Sequence, residues 1–222
     1  QAADLVISKD NGDVERKFWK DDFSVDSSSQ YTGNVANFTW DTANSRVSIT
    51  AGAFKDLYHS VERANIGDVI SAVYQMPASP VNPTVLTIVL TDGITRYQLG
   101  YVWNNDGAVS TICRYINNDN VFTPLAGHGI AANQYVRVEV EILSNTQLKT
   151  TVTNIDTGTS QTYTFKKVAL TGSNFLFGSS VWSSNVCYLY DLSRKPSISY
   201  ADDFSTDTTE RYQPVLGTVA YD

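Results

Sequence analysis

The segment Tyr135-Val136-Arg137-Val138-Glu139-Val140-Glu141-Ile142 alternates apolar and polar residues without a break. Side chains of a β-strand point to opposite faces in turn, so Val136, Val138, Val140 and Ile142 share one face and Tyr135, Arg137, Glu139 and Glu141 the other. That is a strand with a core on one side and water on the other, the signature of an antiparallel sheet. No window of eleven or more residues shows a 3.6-residue period, so helices are not expected.

The rest of the chain repeats this grammar in short runs. Asn37–Asp41 and Arg46–Thr50 flank Thr42-Ala43-Asn44-Ser45 as a hairpin. Further runs cover 56–62 and 67–76, the second ending where Pro77, Pro80 and Pro83 withhold ladder donors. Thr84–Leu90 turns at Asp92-Gly93 into Ile94–Trp103, and Asp-Gly between apolar runs is a strong hairpin signal. Val109–Ile116, Leu148–Thr153, Gln161–Lys166, Asn174–Trp182 and Val186–Leu192 complete the series. About a dozen short strands without helices predict an all-β, two-sheet antiparallel sandwich of the jelly-roll type.

One stretch comes back. Asp21-Asp22-Phe23-Ser24-Val25-Asp26-Ser27-Ser28-Ser29-Gln30-Tyr31 is matched by Asp202-Asp203-Phe204-Ser205-Thr206-Asp207-Thr208-Thr209-Glu210-Arg211-Tyr212. Both aspartates, the Phe, the Ser, the third Asp and the Tyr are identical, and Ser27 and Ser28 become threonines. A motif restarting near the C-terminus divides the chain into an extended lead-in (1–17), a sandwich module (18–196) and a tail (197–222). The tail is expected to begin a second repeat copy or to donate a strand to a neighbour. An unpaired strand around 200–222 favours addition to a sheet edge, hence homo-assembly or a filament.

Composition excludes some partners. Only 18 % of residues are charged and the net charge is −7, which disfavours nucleic acid and anionic membrane surfaces, both of which reward clustered Lys and Arg. No apolar stretch is long enough to insert into a bilayer. Cys113 and Cys187 lie far apart in strand-like runs, either as one disulfide in an oxidising compartment or as two buried thiols. Asn37-Phe38-Thr39 is a lone glycosylation sequon.

Sugar recognition needs aromatic rings for the C–H faces of pyranoses and amides or carboxylates for hydroxyls. Aromatics make up 12 % of the chain, including four Trp and thirteen Tyr, and most suit pleated or buried surfaces. Three sit beside amide-rich turns: Trp103 with Asn104-Asn105-Asp106, Tyr115 with Asn117-Asn118, and Trp182 with Ser183-Ser184-Asn185. Together they are the candidate glycan site, against the alternative of core rings next to ordinary turns. The expected consequence is that Trp103→Ala abolishes glycan retention and leaves the fold intact.

Catalysis has less support. A glycosidase needs two carboxylates across a cleft. Glu139 and Glu141 share a face with Arg137, which reads as a mixed-charge solvated surface. His59 and His128 have no nucleophile neighbours, so no catalytic residue is assigned and an enzyme is disfavoured.

The opening Asp-Asp-Phe-Ser strand, the strands Tyr135–Val140 and Leu148–Thr153 and the closing Val186-Cys187-Tyr188-Leu189-Tyr190-Asp191-Leu192 resemble the concanavalin A-like lectin/glucanase superfamily, in particular laminin-G-like and carbohydrate-binding modules. The likeness spans about residues 18–195. It implies two curved sheets, a ligand on the concave face or loop rim, and an extracellular, cell-surface or virion-surface setting. The glucanase motif Glu-x-Asp-x-x-Glu is absent, and of the alginate-lyase motifs only the isolated Gln98 and His59 stand, though a hydrolase or lyase of the same superfamily is the alternative activity. The resemblance also implies a structural calcium tying first strand to last, at Asp21 or Asp22 with Asp191. The competing reading has Asp22 capping the strand entry and Asp191 pairing with Arg194 or Lys195.

Overall fold

A computed structural model describes residues 18–81, 83–103, 111–116, 121–124, 129–166 and 168–196. The lead-in, the tail and the turn residues Asn104–Asp106, Asn117 and Asn118 lie outside these, as does His128.

The described chain is strand throughout, broken by turns and three single 3-10 turns. The first strands are β1 (Trp19–Asp21), β2 (Tyr31–Gly33), β3 (Phe38–Asp41), β4 (Arg46–Ile49) and β5 (Gly52–His59). Then come β6 (Val69–Gln75), β7 (Thr84–Thr91), β8 (Arg96–Trp103), β9 (Thr111–Ile116) and β10 (Val121–Pro124). The last are β11 (Tyr135–Ser144), β12 (Gln147–Asn154), β13 (Ser160–Lys166), β14 (Leu176–Ser183) and β15 (Cys187–Lys195). The hairpin at 37–50 forms as β3–β4, and Asp92 makes the expected tight turn by accepting the backbone N–H of Ile94 and Thr95.

Two antiparallel sheets result. One runs β13-β12-β11-β6-β15-β4-β3 with β1 also paired to β15; the other runs β10-β9-β8-β7-β14-β5-β2. This is the all-β sandwich the alternation predicts. Val136, Val138, Val140 and Ile142 are fully buried between the sheets, and Phe23 is buried with them. Arg137 is exposed and Glu139 and Glu141 are half-buried on the opposite face, where Glu141 pairs with Lys149 at 2.5 Å. Burying this interior row removes several large apolar side chains from water, each contributing about 1.5–3 kcal/mol.

Polar side chains are buried inside as well. The Tyr74 hydroxyl donates to the Thr87 carbonyl at 2.7 Å and lies 2.9 Å from Ser179 Oγ, tying the two sheets together through the core. Cys113 and Cys187 are both buried and unbonded. Cys187 packs between the sheets, whereas Cys113 belongs to a separate cluster on the far face of the seven-stranded sheet, so no disulfide joins them. Of the two sequence readings, buried thiols describe the structure.

Candidate functional site

A sandwich strand normally wets one face, yet in β7 every residue from Thr84 to Leu90 is buried, and in β8 every residue from Tyr97 to Val102. Inner rows such as Leu86, Ile88, Leu90, Leu99 and Tyr101 fill the core. On the outer face, Val85, Val102 and Cys113 form a second apolar floor, covered by Phe54, Tyr115 and Trp182. The ring of Phe54 lies 5.4 Å from that of Tyr115 and 5.3 Å from that of Trp182, edge to face in both cases.

Those contacts require the sheet to curl. Phe54 is on β5 and Tyr115 on β9, separated by β14, β7 and β8. Four inter-strand steps in a flat sheet are roughly 19 Å, too far for two rings pointing straight out to touch. The outer face is therefore concave. Two glycines set the bend: a Cβ on Gly178 would overlap the Leu57 carbonyl oxygen, and one on Gly100 would overlap that of Leu86.

Polar side chains occupy the neighbouring part of the same face. Arg96 on β8 reaches across to Asp56 on β5, with Nε at 2.7 Å from Oδ2 and Nη2 at 2.5 Å from Oδ1. Ser180 on β14 donates to Asp56 at 2.5 Å and accepts from Gln98 Nε2 at 2.6 Å. Gln98 Oε1 in turn accepts from Arg96 Nη1 at 2.8 Å, and the Tyr58 hydroxyl donates to Asp56 at 3.2 Å. The Arg96 guanidinium also lies 5.6 Å from the Phe54 ring centroid, which joins the polar network to the aromatic cluster.

Electrostatics follow from this packing. Burial works against the Arg96 charge, but the hydrogen bonds and charge of Asp56 outweigh it and hold the guanidinium pKa above its ordinary value. The Tyr58 phenol is pushed up to about 12, first by burial and then by the Asp56 charge. Burial likewise raises the Tyr115 phenol and the Cys113 thiol. The face is thus charge-balanced and rich in hydroxyl, amide and guanidinium groups beside three rings. Asp56 is the one carboxylate in all seven strands of this sheet, and it is tied to Arg96.

Of the three aromatic residues singled out by sequence, Tyr115 and Trp182 come together here. Trp103 does not join them; it packs against the interior cluster. The sequence reading omitted Phe54, Asp56, Tyr58, Arg96 and Ser180, and named Gln98 only as an isolated residue of the alginate-lyase pattern. The alternation Phe54-x-Asp56-x-Tyr58 along β5 was the available signal, but the expected run began at 56.

The calcium candidates face donors instead of a shared point. Asp21 accepts from Phe23 N–H at 2.8 Å, Ser27 Oγ at 2.5 Å and the Tyr31 hydroxyl at 2.9 Å. Asp22 accepts from Ser24 N–H, and Asp191 pairs with the Lys20 ammonium at 2.7 Å. Carboxylates turned toward hydrogens and an ammonium do not fit a hard cation. Among the described residues no three His, Cys, Asp or Glu side chains converge. Lys20, and not Arg194 or Lys195, is the partner of Asp191; Arg194 pairs with Glu62 at 3.1 Å.

No family model matches the chain and no curated protein matches it in sequence. Solved structures do match in shape. The CBM2 module of the evolved Dit of Lactobacillus casei BL23 phage J-1 aligns with a TM-score of 0.59 at 12% identity, covering 82% of this chain and 96% of that one. The carbohydrate recognition domain of Emp46p in its potassium-bound form gives 0.53 at 14% identity, covering 77% and 90%. A β-1,3-glucanase from Mycobacterium marinum gives 0.53 at 9% identity, covering 80% and 97%. What the chain shares with these structures is the fold, a two-sheet antiparallel sandwich.

Proposed function

We propose that this chain is a carbohydrate-binding module that takes a neutral glycan on the concave face of its seven-stranded sheet. The observation that carries the reading is the juxtaposition of three rings, Phe54, Tyr115 and Trp182, with the hydrogen-bonding set Arg96, Gln98, Ser180 and Tyr58. Rings match the C–H face of a pyranose, while the partly exposed Arg96 fork and Tyr58 hydroxyl match its hydroxyls, with Gln98 and Ser180 buried as their supports. Because Asp56 already neutralises Arg96, an anionic sugar gains little from the charge. Binding without bond cleavage agrees with a single carboxylate, Asp56, among the described residues of the face, where hydrolysis of a glycoside needs two.

The fold shared with a phage carbohydrate-binding module and a lectin domain supports the same reading, and with it display on a secreted, cell-surface or virion protein. Retention on an array of neutral and acidic glycans, followed by titration of the retained sugar, tests it. Trp182→Ala should lower affinity roughly five- to 150-fold with the melting temperature little changed, since losing one stacking ring costs on the order of 1–3 kcal/mol. Unchanged affinity on a verified glycan would remove the concave face from the site.

A further inference from the structure

The outer face of the eight-stranded sheet carries a second group of rings, on the opposite side of the sandwich from the concave face. Leu189 and Leu192 are both fully buried, although an unbroken strand would turn residues at that spacing to opposite faces. A β-bulge resolves the conflict. Leu189 pairs with Tyr74 and Asp191 with Val73, so Tyr190 is an extra residue in β15. Tyr190 and Asp191 therefore lie together on the outer face with Tyr188. Bulges re-aim side chains in this way and recur beside functional sites.

Gln75 of β6 pairs with Tyr135 of β11 on one side and Tyr188 of β15 on the other, so these side chains stand abreast. The Tyr190 ring meets the Tyr135 ring edge to face at 5.3 Å. Its hydroxyl donates to Gln75 Oε1 at 3.1 Å and accepts from Arg46 Nη1 at 3.4 Å. The Arg46 guanidinium lies 4.0 Å from the Tyr188 ring centroid, and its Nε donates to Asp41 Oδ2 at 2.8 Å. The Tyr135 phenol is held above its ordinary pKa, first by its hydrogen bond with Tyr190 and then by burial. An amide and a guanidinium thus fix the rings in place, yet all three tyrosines stay partly exposed.

This set fits a neutral saccharide better than an ion or a protein. Arg46 is paired with Asp41 and Asp191 with Lys20, so the charges beside the rings cancel. Among the described residues Arg46 commits two of its five N–H groups, to Asp41 and Tyr190, which leaves donors for a ligand hydroxyl. The rings supply the flat apolar surface that the C–H face of a pyranose needs. Their outward neighbours Ser48, Gln75, Arg137 and Asp191 are polar, whereas the middle of a protein interface is depleted of charge.

We propose that Tyr135, Tyr188 and Tyr190, with Arg46 and Gln75, form a second site for a neutral saccharide on the outer face of the eight-stranded sheet. The site takes nothing from Phe54, Tyr115 or Trp182 and stands whether or not the concave face binds sugar. With both faces occupied, one module bridges two glycan chains.

Affinity electrophoresis of the full chain through gels containing a soluble mannan, galactan or β-glucan tests it. Trp182→Ala should still be retarded by at least one of these polymers. Adding Tyr190→Ala to that variant should weaken the remaining affinity roughly fivefold or more. Tyr135→Ala, at the first residue of β11 and outside the bulge, should act in the same direction, and it decides the matter if Tyr190→Ala fails to fold. Loss of all retardation in Trp182→Ala, with the wild type retarded, overturns the outer site and leaves the concave one. Retardation of Trp182→Ala that neither tyrosine variant weakens overturns it as well, as does a wild type that no polymer retards. A dimer in light scattering that Tyr190→Ala dissolves would make the rings an interface between copies and overturn it too. Wild-type affinity in Trp182→Ala, lost on adding Tyr190→Ala, would sink the concave site and keep this one.

Discussion

Acid should loosen the corner that holds residues 19–31, and His59 is the group through which it acts. Its ring is 3% exposed, enclosed by Trp19 at 4.6 Å, Tyr31 at 5.4 Å and Phe177 at 6.3 Å. Nδ1 accepts the backbone N–H of Glu62 at 2.9 Å and of Val61 at 3.2 Å, which assigns the proton to Nε2, 3.4 Å from Gln30 Oε1. Protonating Nδ1 would set a hydrogen against two N–H groups. Burial lowers the pKa of this imidazole; Glu62 and Asp21 pull it up, Arg63 and Arg194 push it down, and burial wins.

The sign then follows. In the unfolded chain the imidazole titrates near 6.5, and in the folded protein it does so lower, so the unfolded state takes up the proton first. Stability is complete above about pH 6.5 and falls as pH drops toward the folded value, below which this contribution levels off. One proton sets the slope at no more than about 1.4 kcal/mol per pH unit. Hydrogen bonds to Asp22, Asp41 and Asp92 hold those carboxyls below their usual range, so their losses come at lower pH. Urea unfolding in steps from pH 8 to pH 5, on the wild type and on His59→Asn, isolates the effect. The two stability curves should converge as pH falls below 6.5. Parallel curves would refute the argument, and His128, common to both proteins, cancels from the difference.

Other expectations follow from the interior and the concave face. Tyr74→Phe leaves the Thr87 carbonyl and Ser179 hydroxyl without their buried partner and should cost about 1–3 kcal/mol in denaturant unfolding; a neutral result would mean that water replaces the phenol. Gly178→Ala drives a methyl into the Leu57 carbonyl and should destabilise by about 3 kcal/mol, with a change below ~1 kcal/mol showing that the bend is soft. Asp56→Asn should let Tyr58 ionise below its present value of about 12, read by ultraviolet titration, because a raising charge is removed and Arg96 remains; an unmoved titration would put burial alone in control.

The two sheets differ in how far sequence exposes them. In β11 one face is solvated, so the period-two pattern survives and names Val136, Val138, Val140 and Ile142 outright. In β7 both faces are covered, the alternation vanishes into Val85-Leu86-Thr87-Ile88-Val89-Leu90, and nothing in the run says that a second apolar floor exists. The polar network was hidden for another reason: Asp56 meets Arg96 forty residues on and Ser180 one hundred and twenty-four residues on, separations that only the strand order brings together. Parity did carry the Trp103 orientation. Counting in twos from Leu99 and Tyr101, both interior, puts Trp103 on the inner row. Turn-adjacent amides drew attention to it, but pleat position decides where a ring points.

The crease at Gly100 and Gly178 has a consequence for kinetics. Backbone lies so close to both glycines that a methyl there would overlap it, and Phe54 leans on both Tyr115 and Trp182 before any ligand arrives. A guest that lands there finds its aromatic wall already assembled, so little rotamer freedom is lost on contact. Association with a ligand should therefore not wait on a rearrangement of these side chains.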